Sequence, residues 1–145
     1  MQCVLQRVSS ARVFVDGVVV GQIADGIVVL VGIADGDGDA ALAWMASKIV
    51  RLRIFDDEAG RFDGSLLDTG GSVLSVSQFT LLGDTRKGTR PSFTKAAPPD
   101  LAKAAWERFN DLVRSQDVEV QTGMFGANMQ VELVNDGPVT ILLER

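Results

Sequence analysis

Apolar residues cluster in runs that predict a chain rich in β-strands towards both of its ends. Residues 27–33 are apolar throughout, which is typical of a strand buried on both faces. The segments 12–16 and 18–23 flank an Asp-Gly pair, which is a signal for a β-hairpin. Further strands are predicted at residues 2–8, 72–82, 118–122, 129–134 and 139–143.

Two segments carry apolar residues at the three- and four-residue spacing of an amphipathic helix. These are residues 40–53 and a segment that opens at Pro98-Pro99, where proline suits the first helical turn. Residues 56–71 are polar and rich in glycine, so they predict a long excursion with short strand pieces. The pattern predicts an α/β fold in one domain, residues 1–145, with mixed β-sheets in layers (β/β/α) and both helices on one side.

Composition places the chain among globular proteins of about one domain. It has 145 residues, of which 46% are hydrophobic and 23% are charged. No apolar run is long enough to cross a bilayer, so no membrane association is expected. The single cysteine, Cys3, permits no intrachain disulfide and fits a reducing, cytoplasmic location.

The absence of histidine narrows the chemistry that the chain can perform. Without histidine there is no Ser-His-Asp or Cys-His arrangement, and neither a metal site nor a cofactor is predicted. Catalysis would have to use hydroxyls, carboxylates, backbone dipoles or groups of the substrate. The net charge of −5 disfavours general DNA binding.

Residues 75–82, SVSQFTLL, carry three hydroxyls and one amide in what should be a core strand. Spacing alone favours small and β-prone side chains that simply fill a strand. The alternative is a strand end whose hydroxyls and free N–H groups line a pocket, where paired N–H groups can form an oxyanion hole.

Residues 83–91 hold three cations, Arg86, Lys87 and Arg90, in a chain that is otherwise acidic. A solvated loop is the plainer interpretation. The alternative is a docking site for phosphate or an RNA backbone.

Residues 122–129 contain two glycines beside Phe125 and Met129. A β-bulge with apolar side chains in the core would account for this pattern. The alternative is a platform on which a nucleic-acid base stacks.

Residues 135–138 read Asn-Asp-Gly-Pro, a hairpin signal that Pro138 complicates because proline has no N–H for a ladder. Spacing alone favours a turn. An X-Pro bond can also be cis at a cost of about 0.5–1 kcal/mol, and a rigid backbone element suits rejection of a ligand by shape.

Two of these segments together resemble the motif pair of the D-aminoacyl-tRNA deacylases. They are SQFTL at residues 77–81 and NDGPVT at residues 135–140, and matches at residues 90–93 and 122–131 extend the resemblance along the whole chain. The resemblance implies a homodimer that hydrolyses the ester between a D-amino acid and the 3′-terminal adenosine of tRNA. It also implies activity on glycine mischarged onto tRNA, so the expected partners are the 3′ ends of these RNAs.

The resemblance assigns the catalytic strand end to Ser77, Gln78, Phe79 and Thr80. The backbone N–H groups of Phe79 and Thr80 are then the candidates for an oxyanion hole. Because no histidine can activate the Thr80 hydroxyl, the interpretation favours water activated with help from the terminal ribose 2′-OH.

The resemblance also implies that Gly137-Pro138 is cis and reaches into the pocket of the partner subunit. Its carbonyls would bind the α-amino group of the substrate and exclude any L side chain. Arg7 matches a residue that supports this dipeptide, and Phe125 and Met129 match the adenosine pocket.

Two other classes of function remain as alternatives. One is a non-catalytic module of the same fold that binds nucleic acid or assists a synthetase. The other is a small-ester hydrolase, which the missing histidine and the missing G-x-S-x-G motif disfavour.

Overall fold

Eight strands, three α-helices and one 3₁₀ turn make up the computed structural model, which describes residues 1–145. The first half contains β1 (Gln2–Val15), β2 (Val18–Ile23), β3 (Gly26–Gly32), α1 (Asp39–Arg51), β4 (Phe55–Asp56), β5 (Phe62–Gly64) and α2 (Leu66–Thr69). The second half contains β6 (Ser72–Ser77), the 3₁₀ turn (Phe79–Leu82), α3 (Pro99–Arg114), β7 (Val120–Thr122) and β8 (Gln130–Glu144).

Strand β1 organises the main sheet, because it has partners along both edges. One edge pairs antiparallel with β8, while the other edge is shared between β3 and β2. Strand β3 then pairs parallel with β6, and β6 pairs parallel with β7.

The sheet curls so that β2 and β7, the strands at the two ends of its order, lie close together. A Cβ atom at Gly21 of β2 would lie 2.5 Å from the carbonyl oxygen of Thr122 in β7, so only glycine permits this approach. The α/β class is confirmed, but the predicted stack of separate sheet layers is wrong. Six strands form one near-barrel sheet, since β1 is long enough to pair with β3 and β2 in succession, and β4 and β5 pair with each other as a separate two-stranded sheet.

Helices α1 and α3 pack on one face of the sheet. Their apolar side chains, such as Met45 and Phe109, share a core with Leu5 and Val29 of the sheet. A smaller core fills the barrel interior. The short α2, capped by Ser65, was missed by the sequence pattern because four residues show no helical periodicity. None of the helices is both long and apolar enough to span a membrane.

The predicted turn at residues 135–138 is wrong, because β8 runs through it without reversing. Gln6 pairs with Thr140 and Val8 pairs with Asn135. The four residues 136–139 therefore bulge out opposite the single residue Arg7.

The strand predicted at residues 72–82 ends early, at Ser77. The N–H of Gln78 makes a last ladder bond of 2.7 Å to the carbonyl of Val31, and β3 then ends at Gly32. Without a partner strand the chain folds into the 3₁₀ turn, in which the N–H of Leu81 bonds to the carbonyl of Gln78.

We expect Gly21→Ala to lower the free energy of unfolding by about 1–3 kcal/mol, because the added methyl group must push β2 and β7 apart. Urea denaturation measures this loss. Gly64→Ala is the matched control, since Gly64 also lies in a strand and its Cβ would meet no atom closer than 3.5 Å. Equal losses in the two variants would contradict closure of the sheet at Gly21.

Candidate active site

A cavity of about 690 Å³ opens beside the end of β6, between the start of α3 and the segment that leads into β8. It is lined by five residues that the resemblance assigned to the site: Ser77, Gln78, Phe79, Phe125 and Met129. The structure thus brings the predicted catalytic segment and the predicted adenosine pocket together.

Helix α3 fixes one wall of this cavity through Trp106. The buried indole N–H donates a hydrogen bond of 2.9 Å to the hydroxyl of Ser75, which lies two residues before Ser77 in β6. The Trp106 ring lies 5.9 Å from the ring of Phe125. Ser75 therefore serves the core rather than the pocket. No local pattern marked Trp106, because its partner is 31 residues away in the chain.

Two further contacts shape the mouth of the cavity. Phe79 is half-exposed and packs edge-to-face on Phe93 at 5.0 Å between ring centroids. A Cβ atom at Gly123 would come within 2.7 Å of the Met129 sulfur, so the glycine leaves room for that side chain. Phe93 lies in a segment that carried the resemblance, but no pattern marked it as a site residue.

The 3₁₀ turn begins at Phe79, which lines the cavity. Phe79 and Thr80 begin the turn, and their N–H groups precede its first internal bond, from Leu81 N–H to the Gln78 carbonyl at 3.2 Å. N–H groups at the start of a helical turn have no acceptor inside it, so they are available to a ligand. The Gln78 side-chain amide donates to the hydroxyl of Thr80, an exposed residue that does not line the cavity.

No ionisable side chain lines the cavity, whose walls are apolar apart from serine, glutamine and asparagine. The perturbed groups lie elsewhere: burial raises the pKa of the Cys3 thiol to about 12, and hydrogen bonds from Arg86 lower the pKa of Asp84 to about 2. No group of three His, Cys, Asp or Glu side chains is placed to hold a metal ion. The site can therefore act through N–H groups, hydroxyls and amides.

Arg7 holds the bulge that contains Gly137-Pro138. Its side chain is buried, and its Nε donates a hydrogen bond of 3.0 Å to the Asp136 carbonyl. Its Nη1 donates at 2.8 Å to the Ile54 carbonyl and lies 3.0 Å from an Asp56 carboxylate oxygen. Arg7 thus contacts the bulge directly, and its supporting role stays a prediction.

Gly137 and Pro138 are joined by a cis peptide bond, as the resemblance implied. The Asn135 side-chain oxygen accepts a hydrogen bond of 2.8 Å from Val139 N–H, so it bridges the dipeptide. Gly137 and Pro138 are exposed and do not line the cavity of their own chain. Within one subunit the dipeptide thus lies with Arg7 and apart from the predicted site residues that line the cavity.

Two solved structures share the fold over nearly the whole chain. One, titled c-Myc DNA Unwinding Element Binding Protein, is 41% identical and superposes with a TM-score of 0.94, covering 100% of this chain and 99% of that one. The other, a probable eukaryotic D-amino acid tRNA deacylase, has a TM-score of 0.83 at 21% identity and covers 98% and 97% of the two chains.

Sequence relatives named D-aminoacyl-tRNA deacylase match along their full length. The relative from Kosmotoga olearia is 57% identical over 99% of this chain and 97% of its own. The relative from Carboxydothermus hydrogenoformans is 53% identical over 99% of both chains. The family model described as D-Tyr-tRNA(Tyr) deacylase matches residues 4–144. The chain therefore belongs to the D-Tyr-tRNA(Tyr) deacylase family, whose named members are hydrolases acting on aminoacyl-tRNA.

Proposed function

We propose that the chain acts in the cytoplasm as a homodimer that removes D-amino acids, and glycine, from the 3′ end of tRNA. The observation that carries this proposal is the placement of Gly137-Pro138, which Arg7 holds in an exposed bulge outside the cavity of its own subunit. In a homodimer the dipeptide of one subunit completes the cavity of the other.

Exposed apolar side chains on β8 support pairing with a second copy. Val134 is 57% exposed and Leu142 is 77% exposed, and they flank the bulge along the same strand. Covering these side chains with a second copy would remove apolar surface from water, which favours association.

The dipeptide acts as a filter for chirality. Backbone carbonyls of Gly137 and Pro138 accept hydrogen bonds from the α-amino group of the substrate, which fixes the Cα atom. An L side chain would then point into the backbone of the filter, whereas a D side chain or the hydrogen of glycine points away from it.

Hydrolysis proceeds by attack of water on the ester carbonyl. The N–H groups of Phe79 and Thr80 stabilise the oxyanion, and the C–O bond to the ribose breaks as the released 3′ oxygen takes a proton. No ionisable side chain lines the cavity. The ribose 2′-OH of the RNA therefore helps to activate the water, while Ser77 and Gln78 shape the pocket around the ester.

Phe125 and Met129 hold the terminal adenosine. Both line the cavity, and Phe125 is backed by Trp106. An aromatic ring and a thioether can pack on the face of a purine without reading its edge. A non-catalytic nucleic-acid-binding role is not favoured, because the relatives at 53% and 57% identity are named D-aminoacyl-tRNA deacylase.

We expect D-Tyr-tRNA and glycyl-tRNA to lose their ester, with the D ester hydrolysed on the order of 10³-fold faster than the L ester. The amino acid carries a label, and the loss of acid-precipitable label over time measures each rate. Uncatalysed hydrolysis of each ester, followed without protein, is the control. Equal rates on D-Tyr-tRNA and L-Tyr-tRNA, or no hydrolysis of the D ester, would contradict the proposal.

Thr80→Ala should remain active, with kcat reduced less than about tenfold, because alanine retains the backbone N–H of residue 80. Steady-state kinetics with D-Tyr-tRNA measures kcat, and circular dichroism checks the fold. Gln78→Ala is the companion variant, since it frees the Thr80 hydroxyl from its amide partner. Abolished turnover in a folded Thr80→Ala protein would instead make Thr80 a nucleophile.

A further inference from the structure

The cationic loop, residues 83–95, reverses the charge of the protein beside the cavity. Its four cations and one carboxylate give a formal charge of +3. The whole chain has −5, so the other residues together carry −8. A positive segment on a negative protein concentrates an anionic ligand at one place.

Most cations outside the cationic loop are already paired with carboxylates. Seven of those ten Lys and Arg side chains form ion pairs: Arg7, Arg12, Arg53, Arg61, Lys103, Arg108 and Arg114. Within the loop only Arg86 does so, with Asp84. Lys87, Arg90 and Lys95 are exposed and have no carboxylate within 4.0 Å. Their charge is therefore free to meet a ligand.

The base of the loop is fixed at the rim of the cavity. Asp84 and Ser92 exchange backbone hydrogen bonds of 2.8 and 3.0 Å, which close the loop. Phe79 precedes this closure and Phe93 follows it, and both rings line the cavity. The loop therefore leaves and re-enters the fold beside the cavity, and its intervening tip carries Lys87 and Arg90.

Arg86 stiffens the loop rather than contributing a free charge. Its Nε donates to an Asp84 carboxylate oxygen at 2.9 Å, and its backbone N–H donates to the same oxygen at 3.0 Å. The turn formed by these bonds presents the following Lys87 to solvent. The loop thus combines a fixed base with two free cations at its tip.

We propose that Lys87 and Arg90 bind backbone phosphates next to the 3′-terminal adenosine of the RNA substrate and so guide its end into the cavity. This inference rests on the proposed function, because an RNA whose terminal nucleoside fills the cavity must run its phosphates across the rim. Guanidinium and ammonium groups bind phosphate oxygens without reading sequence, which suits an enzyme acting on many tRNAs.

The test compares Lys87→Gln/Arg90→Gln with the wild type on two substrates, D-Tyr-tRNA and a D-tyrosyl ester of adenosine that carries no phosphate. With the tRNA, we expect KM to rise and kcat/KM to fall on the order of tenfold at low salt, with kcat unchanged. The salt slope of log kcat/KM should become shallower by about 1.4, for two lost contacts to a single strand. The phosphate-free ester should be hydrolysed equally by both proteins.

Lys48→Gln is the matched control, because Lys48 is an exposed, unpaired cation on α1 outside the loop. It should leave KM and the salt slope close to wild type. A wild-type salt slope in the double variant, or an equal loss of kcat/KM on both substrates, would overturn the role of the loop. The proposed function would still stand. Failure of the wild-type protein to hydrolyse either ester would overturn the proposed function, and this inference with it.

Discussion

The buried guanidinium of Arg7 is the interaction on which the architecture of the site depends. It lies opposite the four-residue bulge of β8 and donates hydrogen bonds to the carbonyls of Asp136 and Ile54, with Asp56 as its nearest carboxylate. A buried cation is tolerated only when its donors are satisfied, and removal of its partners costs several kcal/mol. These contacts therefore hold the bulge and the segment after α1 in one geometry. A lysine could not replace this planar, multi-dentate group.

The second constraint is chemical: the cavity has no side chain that ionises near neutral pH. An enzyme of this kind gains rate by orienting its substrate and by placing fixed dipoles where charge develops. In the proposed mechanism the 3₁₀ turn supplies those dipoles. It forms because β6 loses its partner strand at Gly32, and the N–H groups of Phe79 and Thr80 precede its first internal bond. The end of β3 at Gly32 thus both terminates the pairing of β6 and produces the turn that the proposed chemistry uses.

Periodicity predicted the strands and both long helices well, because burial of one face leaves a repeating pattern. It failed where the structure depends on partners that are distant in sequence. The turn expected at residues 135–138 is a bulge because β1 pairs with both halves of β8, and the strand expected to reach residue 82 stops because β3 stops. The second motif contains Gly137-Pro138, and the family resemblance pointed to Arg7. Trp106 and Phe93 have no local signal, since their roles arise from contacts made in the folded chain.

The central claim is that Gly137-Pro138 of one subunit serves the cavity of the other, and a mixed dimer tests it most directly. One subunit would carry Ala97→Trp, which fills the cavity that Ala97 lines. The other subunit would carry Gly137→Ala, which disturbs the dipeptide because the added Cβ would lie 2.7 Å from Val139 Cγ2 and 3.1 Å from Arg7 Nη2. Each homodimer should be inactive on D-Tyr-tRNA. The purified mixed dimer should recover about half of the wild-type turnover, because one cavity is intact and receives an intact dipeptide. A mixed dimer as inactive as both parents would show that the dipeptide does not act across the subunits.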